Sequence, residues 1–357
     1  MSEASAAAIA ATRSRAAIFD MSASRGVLEV KGDDRVRWLD GMISGDVTAL
    51  VAAAADARPE TGCYATLLTN KGAIVADLHV GCVGDVFFLE SLRDELPKIA
   101  ATLERFIIAD DVTLSDRSEA YCTLGLEGPD ATTILKAALE DEATPPVAEG
   151  WSELRIAGAD VLVAAFGFSG ELAYQIRLAK NDWAGVEGAL DAATGTPLVR
   201  GDAAALYVLR VEAGIPALGL ELDEEVLPPE ARLERAIATN KGCYVGQEIV
   251  ARLRARGQVN HLLVGLTLAD QAQPALGTEL SAAGRKTGEI TSVVTSPSVG
   301  AIALGYVRRE HAEDGTVVEF EGGSATVSAL PFIVGSGAAA IVESDGSDAS
   351  TAPPDAS

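Results

Sequence analysis

The first part of the chain alternates short apolar runs with glycine-containing turns. Runs of strand length and strand composition occur in GVLEVKGDD, ETGCYATLLTNKGAIVADLHVG and DVFFLESL. Between them, apolar residues three and four positions apart predict helices in RVRWLDGMI and LRDELPKIAATLERFI. A second stretch repeats this outline, with strands predicted in YCTLGLEG, RIAGADVLVAAF and ELAYQIRL and helices in PDATTILKAALED and NDWAGVEGALDAA. The repeat predicts two similar lobes that each combine helices and strands.

The pattern changes from His261 onward, where short strands and frequent glycines follow one another. These strands are predicted in HLLVGLTL, GTEL, TGEITSVVT, GAIALGYV, GTVVEFEG and SATVSAL. Their regular spacing predicts a small β-barrel or sandwich. The last residues are small, acidic and proline-containing, which predicts a disordered tail. A chain of 357 residues is long enough for more than one core, which agrees with this division.

The chain is strongly acidic, which bears on the nature of its surface. It has 52 Asp and Glu against 28 Lys and Arg, a net charge of −24. This excess predicts a surface hydrated in concentrated salt, as in a salt-adapted cytosol, with an ordinary acidic protein as the alternative. A broad nucleic-acid-binding face is not expected, because phosphate contacts need clustered cations. Without a secretory signal or a window apolar enough to span a membrane, we expect a soluble cytoplasmic protein with no membrane contact.

The four cysteines and three histidines are scattered along the chain. Cys63, Cys82, Cys122 and Cys243 show no CxxC spacing, so the sequence indicates neither a disulfide framework nor a zinc site. Most of them should be small core residues. The histidines are too far apart in sequence to suggest a metal site.

The densest cluster of chemically active residues is TNKGCYVGQEIVARLRARGQVNH. Gly242 and Gly246 permit tight turns, and apolar spacing over residues 247–254 predicts a helix. Cys243 would then precede a helix N-terminus, where the helix dipole and the nearby Lys241 favour a thiolate. We predict a reactive or ligand-forming thiol, with a buried structural cysteine as the alternative.

The stretch KGCYVGQE, followed by VAR and then RG, resembles the motif of the YgfZ family. That family is a branch of the aminomethyltransferase superfamily, and its motif cysteine is regarded as functionally required. The resemblance therefore implies that Cys243 is the leading functional residue. It also implies that its motif neighbours Lys241 and Tyr244 belong to the cofactor site.

Further segments are similar to the superfamily over residues 15–335: AAIFDMSASRGVLEVKGDDRVRWLDGMISGDV, LRVEAGIPALGLELDEEVLPPEA and TGEITSVVTSPSVGAIALGYV. The resemblance implies an α+β fold, with two intertwined aminomethyltransferase-like folate-binding lobes and a small C-terminal β-barrel around a central tetrahydrofolate cavity. We expect an N-terminal extension at residues 1–14, the folate-binding lobes at 15–257, the barrel at 258–335 and the acidic tail at 336–357.

Two residues of the first lobe match folate-site positions of the glycine-cleavage aminomethyltransferases. In the segment NKGAIVADLHV those enzymes carry two adjacent Asp, which are Ala76 and Asp77 here. The resemblance implies that Asp77 lies against the reactive folate nitrogens and gives or takes a proton; a capping or strand-edge Asp is the alternative. Tyr64 falls where the family has a tyrosine that lines the folate, with an ordinary half-buried strand aromatic as the alternative.

The second lobe departs from those enzymes. Gln175 stands in place of the glutamate that grips the pterin, and an amide accepts only one of the two hydrogen bonds that a carboxylate accepts in parallel. Glu171 is retained as a candidate folate contact, with a turn residue as the alternative. Leu206 replaces a family arginine, whereas Arg210 and Glu212 persist and are expected to form a partly buried ion pair. We therefore expect weaker or rotated pterin binding.

A basic stretch interrupts the acidic chain after the cysteine motif. Arg252, Arg254, Arg256 and His261 could contact the glutamate tail of folate or an RNA phosphate. The alternative is a solvated helix face.

Three functions remain open from the sequence. The motif favours a tetrahydrofolate-binding YgfZ-like protein that supports the assembly or repair of iron–sulfur client enzymes, including those that modify tRNA, with Cys243 as the functional thiol. A folate-dependent aminomethyltransferase that uses Asp77 and needs a lipoyl carrier protein is the second hypothesis; Gln175, Ala76 and Leu206 speak against it. A non-catalytic RNA-binding scaffold is the third. No turnover reaction follows from the residues alone, so the sequence leaves open whether the protein is an enzyme.

Overall fold

The computed structural model describes residues 2–56, 58, 61–256 and 259–337. The helices are α1 Glu3–Ser14, α2 Arg35–Met42, α3 Val47–Ala55, α4 Leu96–Glu104, α5 Ala131–Ala138, α6 Trp183–Thr194, α7 Ala203–Glu212 and α8 Gln247–Arg256. The strands are β1 Ala17–Asp20, β2 Arg25–Lys31, β3 Gly62–Leu68, β4 Ile74–Val83, β5 Val86–Leu92, β6 Thr113–Asp116, β7 Cys122–Glu127, β8 Trp151–Ile156, β9 Ala159–Ala164, β10 Ala173–Leu178, β11 Val199–Gly201, β12 His261–Leu268, β13 Glu279–Ala282, β14 Arg285–Ser296, β15 Gly300–Arg308, β16 Val317–Phe320 and β17 Gly323–Ser328. Residues 338–357 of the predicted tail lie outside the described residues.

The first lobe is a five-stranded antiparallel sheet with helices packed on one face. Its strand order is β3-β4-β5-β2-β6. Side chains alternate along β4, so Ala76, Leu78 and Val80 pack into the helix-covered core while the residues between them face the other way. The side chain of Asp46 caps α3 by accepting a hydrogen bond of 3.0 Å from the Ala49 amide.

The second lobe is a six-stranded sheet that is antiparallel except for the parallel pairing of β1 with β11. Its order is β11-β1-β7-β10-β9-β8, and α5 and α6 cover the outer face through Ile134, Leu135, Val186 and Leu190. Strand β1 lies between β11 and β7, whereas the following β2 belongs to the first sheet. The chain therefore crosses between the lobes near its start, which intertwines them.

The inner faces of the two sheets pack against each other. Phe88 of the first sheet and Trp151 and Leu162 of the second form part of an apolar cluster between them, together with Phe166, which follows β9. Gly81 makes this contact possible, because a Cβ at its position would lie 2.2 Å from the Trp151 ring. Polar side chains share this interface, and the candidate site is built from them.

The C-terminal strands form a closed six-stranded barrel in the order β12-β15-β14-β13-β16-β17. Its interior holds alternating apolar residues such as Val264, Leu266 and Ile290. The predicted α+β fold with two lobes and a C-terminal β-barrel is thus confirmed. None of the described helices combines the length and apolarity that a membrane crossing requires.

A buried glutamate joins the second lobe to the barrel. Glu221 accepts hydrogen bonds from Arg210 of α7 at 2.9 Å and from Thr291 of β14 at 2.8 Å. Arg210 also donates to the Ser292 hydroxyl at 2.7 Å. Because Arg210 and Glu221 are both buried, each supplies the counter-charge that the other needs.

The predicted ion pair between Arg210 and Glu212 is wrong. Glu212 is bound instead by Arg13 of α1 at 2.7 Å and by the Ser296 hydroxyl. Residues two positions apart project from different sides of a helix, so each finds a partner on a different neighbouring element.

We predict that Glu221→Gln lowers the free energy of unfolding by about 3 kcal/mol or more, because it leaves the buried Arg210 charge without a carboxylate. The thermal unfolding midpoint, followed by circular dichroism, measures this loss. Glu225→Gln is the matched control, since Glu225 is exposed in the same loop. Equal midpoints for Glu221→Gln and the control would contradict the prediction.

Candidate functional site

A tyrosine–aspartate pair marks the polar part of the interface between the sheets. The Tyr64 hydroxyl of β3 donates a hydrogen bond of 3.0 Å to Asp77 Oδ2 of β4. The Ser91 hydroxyl holds the same segment by donating to the Asp77 backbone carbonyl at 2.9 Å. Burial, together with the adjacent Asp77 carboxylate, raises the pKa of Tyr64 well above its usual value. The phenol therefore stays protonated and acts as a hydrogen-bond donor to Asp77.

Three charged or ionisable side chains enclose Tyr64. The Arg235 guanidinium lies 4.5 Å from the centroid of the Tyr64 ring and binds Glu149 at 3.2 Å. The second oxygen of Glu149 contacts His79 Nδ1 at 2.8 Å, and the His79 ring stacks on Phe166 with centroids 3.7 Å apart. Burial by itself would raise the pKa of Glu149, but His79 and Arg235 more than offset it, and the pKa is lowered.

Glu149 approaches the site from a connecting loop in the second lobe. Its backbone φ of 62° lies in the left-handed region, which non-glycine residues seldom adopt. The amide of Glu149 donates to the Ala165 carbonyl at 2.9 Å, which ties the loop to the second sheet. The strained conformation is thus held by the fold, as is often found at functional sites.

A second buried charge cluster lies beside the first. Arg25 of β2 donates to both carboxylate oxygens of Glu90 on β5, with Nη2 at 2.8 Å from Oε2. Arg177 of β10 lies further away, with Nη2 3.7 Å from Glu90 Oε1. Burial would raise the pKa of Glu90, but the two guanidinium groups outweigh it, and the pKa is lowered. Glu90 is therefore a carboxylate at neutral pH.

Gln175 lies on the inner face of the second sheet. It is fully buried, and its Nε2 donates a long hydrogen bond of 3.4 Å to the Phe166 carbonyl. Its Oε1 has no hydrogen-bond partner within residues 2–56, 58, 61–256 and 259–337. A buried acceptor without a donor is unfavourable, so this position suits a ligand that supplies one.

An open cleft of about 290 Å³ reaches the Tyr64 side of this interface. Tyr64, Arg235, Cys63 and Gly45 are among the residues that line it. Burial, followed by the nearby Glu149 carboxylate, raises the pKa of the Cys63 thiol to about 12. Cys63 is thus a neutral wall residue of the cleft at physiological pH.

The cysteine motif packs against the end of α2, and Lys241 also donates to the carbonyl of Gly45, which lines the cleft. Cys243 is exposed, and it is not among the described residues that line the cleft. The Lys241 ammonium is buried and donates to the carbonyls of Asp40 at 2.7 Å and Ile43 at 2.9 Å. Tyr244 is also buried, with its ring 5.4 Å from Lys241 Nζ. These contacts anchor the motif to the end of α2, and its predicted part in cofactor binding stays a prediction.

Glu171 lies at a different junction. It binds Arg13 at 2.8 Å and accepts hydrogen bonds from the amide and hydroxyl of Ser336, both at 2.7 Å. It thereby connects α1 to the end of the described chain. Its predicted contact with folate stays a prediction, as do those of Tyr64, Asp77 and Gln175.

The residues that the sequence analysis missed are the charged groups around Tyr64 and Asp77. They are Arg25, His79, Glu90, Glu149, Arg177 and Arg235. The alternation in β4 offered one signal, because His79 follows Asp77 by two positions and so shares its face. No sequence signal joined Glu149 and Arg235 to this face, since both come from distant loops.

Comparison with known proteins covers nearly the whole chain. The GCVT N-terminal domain matches residues 1–241, and the glycine cleavage T-protein C-terminal barrel domain matches residues 262–333. A relative from Natronomonas pharaonis, named probable aminomethyltransferase, is 32% identical over 90% of this chain and 88% of its own length. An aminomethyltransferase from Rubrobacter xylanophilus is 30% identical over 84% of this chain and 78% of its own length.

A solved structure shows the same fold. The glycine cleavage system aminomethyltransferase T from Bartonella henselae matches with a TM-score of 0.80 and 23% identity, over 92% of this chain and 90% of that one.

These relatives contradict the predicted YgfZ-type role in iron–sulfur enzyme assembly and tRNA modification. They are named aminomethyltransferase, and they match most of the chain, whereas the YgfZ prediction depended on one short motif. A short motif also reflects local contacts, such as those of Lys241 with the Asp40 and Ile43 carbonyls, and it does not by itself identify an activity. Cys243 is exposed, and the buried polar side chains gather between the two sheets.

We predict that Cys243 is the fastest of the four cysteines to react with a disulfide reagent at pH 8, because thiol reactivity needs exposure and thiolate formation. Cys63→Ser should leave the fast phase unchanged, since the raised pKa keeps Cys63 protonated. Cys243→Ser should remove the fast phase. Stopped-flow absorbance with an aromatic disulfide measures both, and a fast phase that persists in Cys243→Ser would contradict the prediction.

Proposed function

Because this chain belongs to the glycine cleavage T-protein family, we propose that it is a tetrahydrofolate-dependent aminomethyltransferase. Its substrate would be an aminomethyl group carried by a lipoyl carrier protein, with ammonia as the second product. The names of the relatives support this activity. Folate and the carrier protein are part of the proposal.

The observation that carries the proposal is the Tyr64–Asp77 pair on the inner face of the first sheet. Asp77 is half-buried and oriented by two hydrogen bonds, one from Tyr64 to its carboxylate and one from Ser91 to its backbone. A carboxylate that is fixed in position and partly shielded from water is suited to general acid–base chemistry. Its position in β4 is also the one that the family resemblance assigned to the folate nitrogens.

The polar groups of the interface fit a folate. Gln175 Oε1 is buried without a donor among the described residues, and a pterin edge offers N–H donors. The amide accepts one hydrogen bond where a carboxylate would accept two, so we expect weaker pterin binding than in a chain with glutamate here. The cleft beside Tyr64 supplies an approach from solvent to this part of the molecule.

When it is bound, tetrahydrofolate supplies the nitrogen atoms that accept a one-carbon unit. Asp77 would hold or transfer the proton that these nitrogens exchange, and Tyr64 would keep the carboxylate oriented. Aromatic rings from Phe88, Trp151 and Phe166 exclude water from the interface, which strengthens the electrostatic interactions within it. The Arg235–Glu149–His79 contacts fix the Tyr64 ring from the cleft side.

We predict that Asp77→Asn lowers kcat for carrier-dependent ammonia release by about 100-fold or more, because the amide cannot exchange the proton. Folate affinity, measured by calorimetry, should change much less than kcat. Asp160→Asn is the matched control, since the Asp160 side chain is exposed on a strand of the other lobe.

Two results would contradict this proposal. The first is the absence of folate-dependent ammonia release by the wild-type chain with an aminomethyl-lipoyl carrier protein. The second is a wild-type rate for Asp77→Asn, which would remove Asp77 from the chemistry even if the activity itself were present. Circular dichroism of each variant confirms that the fold is intact before rates are compared.

A further inference from the structure

Hydrogen-bond donors without acceptors gather on the inner face of the second sheet. Arg177 Nη1, Arg177 Nη2 and Trp151 Nε1 are all buried, and none has a hydrogen-bond partner in the part of the chain that the structure describes. Arg177 and Trp151 are 1% exposed, and the guanidinium carbon lies 4.7 Å from the Trp151 ring centroid. Three buried donors are therefore unmatched within one cluster.

Arg177 is held less closely by Glu90 than Arg25 is. Arg25 binds both oxygens of Glu90, which leaves Arg177 at 3.7 Å as a second cation on a single carboxylate. Burial lowers the pKa of Arg177 to about 10, against the attraction of Glu90 and with a smaller repulsion from Arg25. Arg177 thus remains charged at neutral pH, and its Nη nitrogens have no acceptor among the described residues, although Glu90 and, near Arg25, Asp77 supply negative charge.

Buried donors without hydrogen-bond acceptors destabilise the folded protein unless another molecule supplies the acceptors. A buried charged group that lacks hydrogen bonds is strongly unfavourable, and removing its partners costs more than the bonds themselves contribute. The Trp151 ring face attracts the guanidinium, but it leaves the in-plane N–H donors of Arg177 unmatched. The cluster therefore lacks acceptors for these buried donors.

We propose that Arg177 and Trp151 form a binding site for a small monocarboxylate at the interface that also holds the Tyr64–Asp77 pair. A carboxylate presents two coplanar acceptors that match the fork of a guanidinium. This second ligand goes beyond the proposed folate chemistry and does not depend on it.

The neighbouring Gln175 supports the same site. Gln175 and Arg177 are two positions apart on β10, so their side chains share the inner face, while Tyr174, Ile176 and Leu178 pack into the outer core. Gln175 is neutral, so it places no carboxylate beside Arg177. Its unmatched Oε1 is the acceptor assigned to the pterin edge under the proposed function, so the carboxylate site and the pterin contact adjoin along β10.

The test measures binding of formate and of glycine to the full-length chain by calorimetry, with no folate present. Sodium chloride replaces each ligand in the reference titration at constant ionic strength, because a chain of net charge −24 responds to salt in general. We expect saturable binding of at least one of the two carboxylates. The ligand that binds more tightly shows whether the site prefers a simple acid, as formate is, or an amino acid, as glycine is.

Variants assign the binding to Arg177. Arg177→Met should weaken binding about tenfold or more, because it removes charge-assisted hydrogen bonds, and Arg177→Lys should restore part of it. Arg155→Met is the matched control, since Arg155 is about half exposed and lies on β8 of the same sheet. It should bind like the wild type.

A further variant keeps the test decisive if Arg177→Met does not fold. Gln175→Glu places a carboxylate on the same strand face, where it competes with the ligand for Arg177 and should weaken binding about tenfold. The proposal is overturned if the wild type responds to formate and glycine as it does to chloride. It is also overturned if a folded Arg177→Met or Gln175→Glu variant binds with the wild-type Kd. A failure to bind folate would affect only the aminomethyltransferase proposal.

Discussion

The burial of charge between two β-sheets is the constraint on which this structure depends. An ion that leaves water must find a counter-charge or a hydrogen bond, and the two inner faces bury several such groups. Arg25 and Glu90 meet this need through two hydrogen bonds on neighbouring strands of the first sheet. Glu149 meets it by reaching both His79 and Arg235. These pairs fix the environment in which Tyr64 and Asp77 lie.

The same constraint connects the separate parts of the fold. Glu221 binds α7 to the barrel through Arg210, and Arg13 joins α1 to Glu212 and Glu171. Arg13 reaches its two carboxylates from a distant part of the chain, and Glu221 joins Arg210 to residues of the barrel, so these contacts form only when all the elements are in place. On the inner face of the second sheet, Gln175 Oε1, the Nη nitrogens of Arg177 and Trp151 Nε1 have no hydrogen-bond partner among the described residues. Several unmatched groups on one face indicate where a ligand is to be sought.

The candidate site was predictable only in part. Asp77 and Tyr64 came from a resemblance, and the structure brings them into direct contact. The cysteine motif attracted the functional prediction because eight consecutive residues matched a known pattern. Its buried members, Lys241 and Tyr244, make contacts that hold the segment against α2. A short motif can therefore reflect a requirement for local packing as well as one for chemistry. Only the tertiary contacts of its residues distinguish the two.

The sequence by itself determined the type of many elements, because run length, composition and apolar spacing depend on local geometry. The strands β2, β4 and β12 and the helices α2 and α4 were predicted in this way, whereas α1, α3 and α7 were not. It also determined the acidic surface, which follows from composition alone. The tertiary structure decided which polar groups meet. His79, Glu149 and Arg235 are far apart in sequence, and their contact follows from how the two sheets face each other and how the loops approach them. Local patterns cannot encode such distances, since they carry no information about which faces are brought together.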